Sequence, residues 1–339
     1  MASASDLIVI LGGLIGGLIP IIAGRGGRPR ASRESIIGAR VGGLREGYPG
    51  RLPEGEVELD ESIAPPGYGG RWRCSNLGCG GWGCVYSCRR PGGERVAFKV
   101  PRGAEALIEG GTPPTVSDRV MRMVAEEARI VSSLNHVHLL RLRAYSGRAP
   151  ILVYEYADQG SLEWQLSRGW RPGAYSALIG AQLADALRYI HSRGLVHGDV
   201  KPSNIYFSRG VVKLGDFSSL SRLLSATTSV WRGYTPGFRA PEQVFSDLRR
   251  RARERGVEGR ADVYQLGVTL LYMEAGIVLD GEDAVDEELR SKRLASVRDR
   301  RLREAIESMT RPDPEERIGS EEAWRILSDM ALEYVAGRG

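Results

Sequence analysis

Lysine is nearly absent from this chain: of 47 basic residues only Lys99, Lys201, Lys213 and Lys292 are lysine. Cysteine is scarce, four in 339 residues, which excludes a disulfide scaffold. Histidine is equally scarce, and His136, His138, His191 and His197 lack metal-ligand spacing. There is no internal repeat. The 42% hydrophobic and 26% charged residues are ordinary globular values, which exclude a disordered, collagenous or multi-span membrane chain. The net charge of +5 would suggest nucleic acid if it were spread over the surface. It is not: six arginines against Glu34 between Arg25 and Arg45 carry all of it, and the rest sums to zero. No nucleic-acid partner is expected.

One apolar run is long. Leu7 to Ala23 has no charge over 17 residues, the lower limit for a bilayer-spanning helix. Arginines crowd its far side, so residues 1–24 are expected to form a tail and a single transmembrane helix with the body of the chain cytoplasmic. Gly12, Gly13, Gly16 and Gly17 offer a small-residue seam through which two copies would pair as a homodimer. Residues 25–69, rich in Gly, Pro and Arg, read as a basic linker beside the membrane.

From residue 70 the pattern changes. Arg71–Leu77, Val85–Cys88 and Arg95–Val100 read as strands around GCGGWGCVY, with glycines at Gly78, Gly80 and Gly83. Glycine lets a backbone approach a ligand closely, although glycine is common enough here to make the pattern weak alone. Lys99 follows on the third strand, and a buried ammonium needs an anionic partner. The helix predicted over 117–134 supplies one: Glu127 sits mid-stripe among Val120, Val124, Ile130 and Val131, while Glu126 points away. A second helix, amphipathic with Leu183, Ala184, Leu187 and Ile190 on one face, is predicted over 177–190. After it, LVHGDVKPSNIYF puts Asp199, Lys201 and Asn204 on one loop, and VVKLGDFS adds Asp216. Two carboxylates, an amide and a lysine on short loops suit phosphoryl transfer with magnesium.

In this order the motifs resemble a eukaryotic-type (Hanks-type) serine/threonine protein kinase over residues 70–335. The resemblance implies an α+β bilobal fold with a β-rich N-lobe (70–156) and a helical C-lobe (157–335). It implies an ATP- and Mg2+-dependent enzyme that phosphorylates Ser/Thr hydroxyls of protein substrates. Lys99 would bind phosphates and pair with Glu127; Asp199 would be the catalytic base, Lys201 the γ-phosphate cation, and Asn204 and Asp216 the metal ligands. The segment ILVYEYADQGSL resembles the hinge, with Tyr154 as gatekeeper and the backbones of Glu155 and Ala157 on adenine. Leu77, Val85, Ala97 and Tyr206 would sandwich the ring. Thr235 resembles the threonine that bridges Asp199 and Lys201. Ala240-Pro241-Glu242 is the APE segment, whose glutamate would meet Arg317, and DVYQLG from Asp262 would start the central C-lobe helix.

There are departures. The catalytic loop reads His-Gly-Asp, and Gly198 cannot receive an activation-loop phosphate as an arginine would. His-Gly-Asp also occurs in small-molecule phosphotransferases, which usually lack the APE segment and the lysine two residues on. A pseudokinase scaffold, the other rival, usually loses Lys99, Asp199 or Asp216, and none is lost. Ser218 replaces the glycine of the magnesium motif and restricts its backbone. Cys74, Cys79, Cys84 and Cys88 are expected as free thiols, with Cys74 facing Cys88 across the hairpin if Gly80-Gly81 is its tip; metal binding would want a CxxC. The six arginines between Glu242 and Asp262 read as a solvated helix face or a docking site for acidic substrates or membrane.

Overall fold

The computed structural model describes residues 32–45, 55–81, 83–110, 116–222 and 235–335. The expected transmembrane helix lies outside them, and among the described residues no helix is long and apolar enough to cross a membrane.

Six antiparallel strands form one sheet: β1 (Gly55–Leu59), β2 (Gly70–Cys79), β3 (Gly83–Arg89), β4 (Arg95–Pro101), β5 (Leu142–Tyr145) and β6 (Leu152–Glu155), in spatial order β1-β2-β3-β4-β6-β5. Between β4 and β5 lie α1 (Ala106–Glu109) and α2 (Asp118–Val131). The upper face of the sheet carries its own core, where Trp72 meets Phe98 edge-on at 5.1 Å between ring centres. Ala97, Leu152 and Tyr154 on the lower face join the core of the C-lobe.

The sheet thus begins at Gly55, inside the stretch read as linker. β1 hides in the sequence because it has only two apolar positions, Val57 and Leu59, both buried in the upper core. Its alternate residues Glu56 and Glu58 face Arg73 and Arg71 across the ladder. These exposed pairs add little stability, but a charged edge strand resists pairing with other chains.

Residues 32–45 also depart from the linker reading. They form a strap over the helical lobe, whose first elements are α3 (Leu162–Ser167) and α4 (Tyr175–His191) and whose last helix is Ser320–Val335. Arg33 clamps Asp329 of that last helix with two hydrogen bonds of 2.8 Å. Ile36 is buried, and Gln182 of α4 donates to the carbonyls of Ile36 and Ala39, both at 2.8 Å. Val41 N–H donates to Gly210 O at 2.8 Å, and Gln165 of α3 exchanges two hydrogen bonds with the backbone of Arg45. Five apolar residues in fourteen could not announce this; the contacts are mostly backbone to glutamine.

The C-lobe continues with β7 (Leu195–Val196), β8 (Ile205–Ser208), β9 (Val211–Leu214) and β10 (Ser221–Arg222), then α5 (Pro241–Val244), α6 (Ser246–Glu254), α7 (Arg260–Ala275), α8 (Gly281–Ala284), α9 (Glu287–Leu294), α10 (Arg300–Met309) and α11 (Ser320–Val335). Instead of showing one apolar face, α4 is buried almost all round from Ser176 to Leu187, because α7, α11 and the strap enclose it. The arginine-rich segment is split: Arg250, Arg253 and Arg255 are exposed, while Arg249, Arg251 and Arg260 are half-buried. Arg251 and Arg255 reach Asp313 and Glu315, while Arg249 and Arg260 cap backbone carbonyls.

His138 ties the strap to the C-lobe: its ring bonds Val212 O at 2.9 Å through Nδ1, and its Nε2 accepts from Gly38 N–H at 3.4 Å. Burial pushes its pKa down to about 4. Below the ordinary value near 6.5 the unfolded chain therefore binds a proton that the folded chain refuses. Stability falls as pH drops from about 6.5 to about 4, by roughly 3 kcal/mol. Urea titrations across that window should show this loss, and His138→Gln should remove most of it.

The four cysteines are not free thiols. Cys74 joins Cys88 and Cys79 joins Cys84, with Cα atoms 4.1 and 4.0 Å apart. The Cys74↔Cys88 register agrees with a tip at Gly80-Gly81; the second pair needs something more. Cys74 and Cys79 are an odd number of residues apart, so in a regular strand they would lie on opposite faces. A bulge at Leu77, between the pairs Asn76↔Tyr86 and Gly78↔Val85, returns Cys79 to the face of Cys74 and sets it opposite Cys84.

Candidate active site

The side chains singled out from sequence meet in two linked clusters. In the first, Lys99 Nζ lies 2.8 Å from Glu127 Oε1 and 2.9 Å from Asp216 Oδ1. β4 presents Lys99 from the lower face, opposite Val85 of β3. α2 brings Glu127 inward, and Glu126 pairs outward with Arg129. Burial works against the Lys99 charge, yet Asp216 and then Glu127 outweigh it and hold the ammonium protonated well above the ordinary lysine range. Burial would likewise raise Asp216, but the Lys99 ammonium and a hydrogen bond from Ser218 hold it well below the usual carboxylate range.

Two supports were not legible in advance. Tyr154 donates its hydroxyl to Glu127 Oε1 at 2.9 Å, and burial, then Glu127, push this phenol well above its usual range, so it remains a donor. Ser218, which replaces a glycine, donates to Asp216 Oδ1 at 2.9 Å while Asp216 itself sits at φ 58°. The serine adds a tether where sequence suggested only lost backbone freedom.

The second cluster surrounds Asp199, which is buried. Lys201 Nζ lies 2.7 Å from Asp199 Oδ2. Thr235 hydroxyl donates to Asp199 Oδ1 at 3.2 Å and accepts from Lys201. Asn204 Nδ2 donates to Asp199 O at 2.8 Å and Oδ2 at 3.0 Å. The clusters touch through the backbone: Gly215 N–H donates to Asn204 O at 2.9 Å, and His197 bonds Gly215 O at 3.1 Å.

The loop holding Asp199 is braced from below. Asp262, fully buried at the start of α7, accepts from His197 N–H at 2.8 Å and Gly198 N–H at 2.7 Å and bonds His191. Gly198 sits at φ +82°, a conformation that favours glycine. Its carbonyl receives two buried amides, Gln243 Nε2 at 2.9 Å and Gln265 Nε2 at 3.0 Å, while Gln265 Oε1 takes Val200 N–H at 2.8 Å. Gln243 Oε1 in turn accepts from Ala240 N–H and from Gln265. The one sequence signal for this network was a glutamine inside the apolar run DVYQLG. Arg317 meets Glu242 with bonds of 2.6 and 3.0 Å, both side chains fully buried.

At the hairpin end stand Gly78, Gly80 and Gly83. A side chain at Gly83 would strike Val100 O at 2.2 Å, so only glycine fits there. Leu77 is the bulge residue, and Val85 and Ala97 face the lower core. Ala97 pairs with Tyr154 in the ladder, and Tyr206 lies on β8 next to Asn204 and Ile205. Glu155 ends β6; its carboxylate accepts from Arg141 N–H at 2.8 Å and pairs with Lys213 at 2.9 Å. Ala157 follows and is buried.

The donor set suits a hard cation. Asn204 commits its nitrogen to Asp199, which leaves its amide oxygen, and Asp216 Oδ2 takes neither Lys99 nor Ser218. Oxygen ligands of this kind fit magnesium. Among the described residues no group of three or more His, Cys, Asp or Glu side chains is placed to hold a metal ion.

Comparisons with known proteins agree with this geometry. The protein kinase domain family model matches residues 73–330. The chain is 35% identical over 264 residues to CBL-interacting protein kinase 4 of Oryza sativa subsp. japonica, covering 72% of this chain and 54% of that protein. It is 30% identical over 216 residues to serine/threonine-protein kinase Pkn1 of Myxococcus xanthus (59% and 28%) and 33% identical over 204 residues to serine/threonine-protein kinase AfsK of Streptomyces griseus (59% and 23%). The chain thus spans about half or less of the length of these curated relatives. With its motifs in order, its clusters joined and most of its length matched, the chain belongs to the protein kinase domain family.

Proposed function

We propose that this chain is a serine/threonine protein kinase that moves the γ-phosphoryl group of ATP to protein hydroxyls. The observation that carries the reading is the joint assembly of Lys99–Glu127–Asp216 and Asp199–Lys201–Asn204–Thr235. Lys99, held protonated between two carboxylates, presents its ammonium to the phosphates. Asp199 accepts the proton of the incoming hydroxyl. Lys201, tied to Asp199 and Thr235, neutralises charge on the transferred group. Magnesium, when bound by Asp216 and Asn204, supplies charge neutralisation across the phosphates. Leu77, Val85, Ala97 and Tyr206 form the walls proposed for adenine, and the backbones of Glu155 and Ala157 its edge contacts. Thr235 and Lys201 favour Ser/Thr acceptors. Incubation with γ-labelled ATP, magnesium and a Ser/Thr-rich protein should place label on serine and threonine; label on a small alcohol alone would sink the reading.

Gly198 offers no cation to an activation-loop phosphate, and the catalytic loop leans on Gln243 and Gln265 instead. Ser225, Thr227, Thr228 and Ser229 lie outside the described residues. Alanine at all four should leave turnover within about threefold, since no phosphate is needed to order the loop; a collapse in steady-state rate would refute this. The proposal extends to a single membrane helix over 7–23 with the kinase domain in the cytoplasm and pairing through its glycines, supported by the uncharged run and its arginine flank.

A further inference from the structure

The two disulfides of the β2–β3 hairpin differ in surroundings. Cys74 and Cys88 are 6% and 0% exposed and belong to the upper core. Cys79 is exposed and its partner Cys84 is 1% exposed. Asn76 Nδ2 lies 3.5 Å from Cys79 Sγ, and Glu105 Oε1 lies 3.5 Å from Cys84 Sγ. Buried cysteines are inert towards external thiols, whereas an exposed sulfur can be attacked. The Cys79–Cys84 pair also closes directly over the glycine loop, where Gly80 N–H bonds Gly83 O at 2.8 Å.

We propose that Cys79 and Cys84 form a reversible thiol–disulfide site, whose reactants are dithiols, and that its state sets the grip of the hairpin on ATP. The coupling to ATP rests on the kinase reading above; the thiol chemistry does not. A dithiol thiolate attacks the exposed Cys79 sulfur. The Cys79–Cys84 bond breaks, its electron pair leaves on Cys84, and that sulfur takes a proton. The second thiol of the reductant then loses its proton and attacks its own sulfur in the mixed disulfide. Cys79 leaves as a thiolate beside the Asn76 amide and is protonated, and the reductant closes as a disulfide. Two electrons and two protons pass from dithiol to protein, and the exchange runs backwards with an oxidised dithiol.

The consequence follows from the residues the bond encloses. Gly80, Gly81 and Gly83 are the most conformationally free residue type. With the staple closed, their backbone is held near one shape; with it open, ATP must order the loop itself. Preorganisation of a loop raises affinity by removing that cost.

The test equilibrates the full chain over a range of reduced to oxidised dithiothreitol ratios. Alkylation with mass analysis reads each cysteine pair, and a fluorescent ATP analogue reads binding. Cys79 and Cys84 should become alkylated at ratios that leave Cys74 and Cys88 closed. Over the same range the dissociation constant should rise about fivefold. A Cys79→Ser/Cys84→Ser variant should hold the weaker value throughout, and a Cys74→Ser/Cys88→Ser variant should keep the response. Simultaneous opening of both pairs, or cysteines already free in oxidising buffer, would overturn the site. Equal ATP binding in both states would overturn the coupling and leave the kinase reading intact. No ATP binding at any ratio would sink the kinase reading and the coupling, while alkylation would still judge the site.

Discussion

Asp199→Asn is expected to lower phosphoryl transfer by about 10³-fold, the scale of a lost general base. The variant keeps the shape of the side chain, so Asn204 and Thr235 retain partners for it. What disappears is the negative charge that receives the proton, together with the ion pair to Lys201 at 2.7 Å. Lys99, Glu127 and Asp216 make no direct bond to the Asp199 side chain, so nucleotide affinity should stay within about twofold. Labelled-phosphate incorporation and a nucleotide titration on the same samples separate the two quantities. Equal incorporation by variant and parent would remove Asp199 from its role.

The second large effect concerns stability. Glu242 and Arg317 form a pair with no exposed side-chain surface. Breaking a buried pair by removing one partner typically costs 3–5 kcal/mol, roughly, because the other charge is left without compensation. The two halves are unequal here. Arg317 also donates to the carbonyls of Arg311, Arg260 and Pro312 and lies 4.9 Å from the centre of the Tyr264 ring. Glu242→Gln leaves those contacts in place and should sit near 3 kcal/mol, roughly, whereas Arg317→Met strands a carboxylate and three carbonyls and should reach about 5 kcal/mol. Guanidinium denaturation curves decide the order. An Arg317→Met protein within about 1 kcal/mol of the parent would contradict the structure.

What the sequence disclosed and what it hid have different physical origins. A carboxylate in the middle of an apolar stripe had to be paired, and the order of motifs then named its partner; Lys99 and Glu127 do meet. The grouping of Asp199, Lys201, Asn204 and Asp216 was legible from residue types on short loops, and Thr235 from the family resemblance. Hidden features depended on backbone. One inserted residue at Leu77 decides which cysteines face each other, and no side-chain pattern signals a bulge. The strap is bound through the amides of Gln182 and Gln165 to its carbonyls and N–H groups, so its Gly- and Arg-rich composition looked like a tether. α4 read as amphipathic because what covers its remaining face was assigned elsewhere. Gln243 and Gln265 looked like ordinary polar residues until the loop above them was known.

The rarity of lysine acquires a practical side once the ion pairs are known. Lys99, Lys201 and Lys213 each close an ion pair, and Lys292 on α9 is the remaining lysine, exposed. An activated ester or imidate cross-linker would therefore find a single lysine handle standing free on the described surface. Acylation at any of the others would first require an ion pair to open, so those three amines should react more slowly than Lys292.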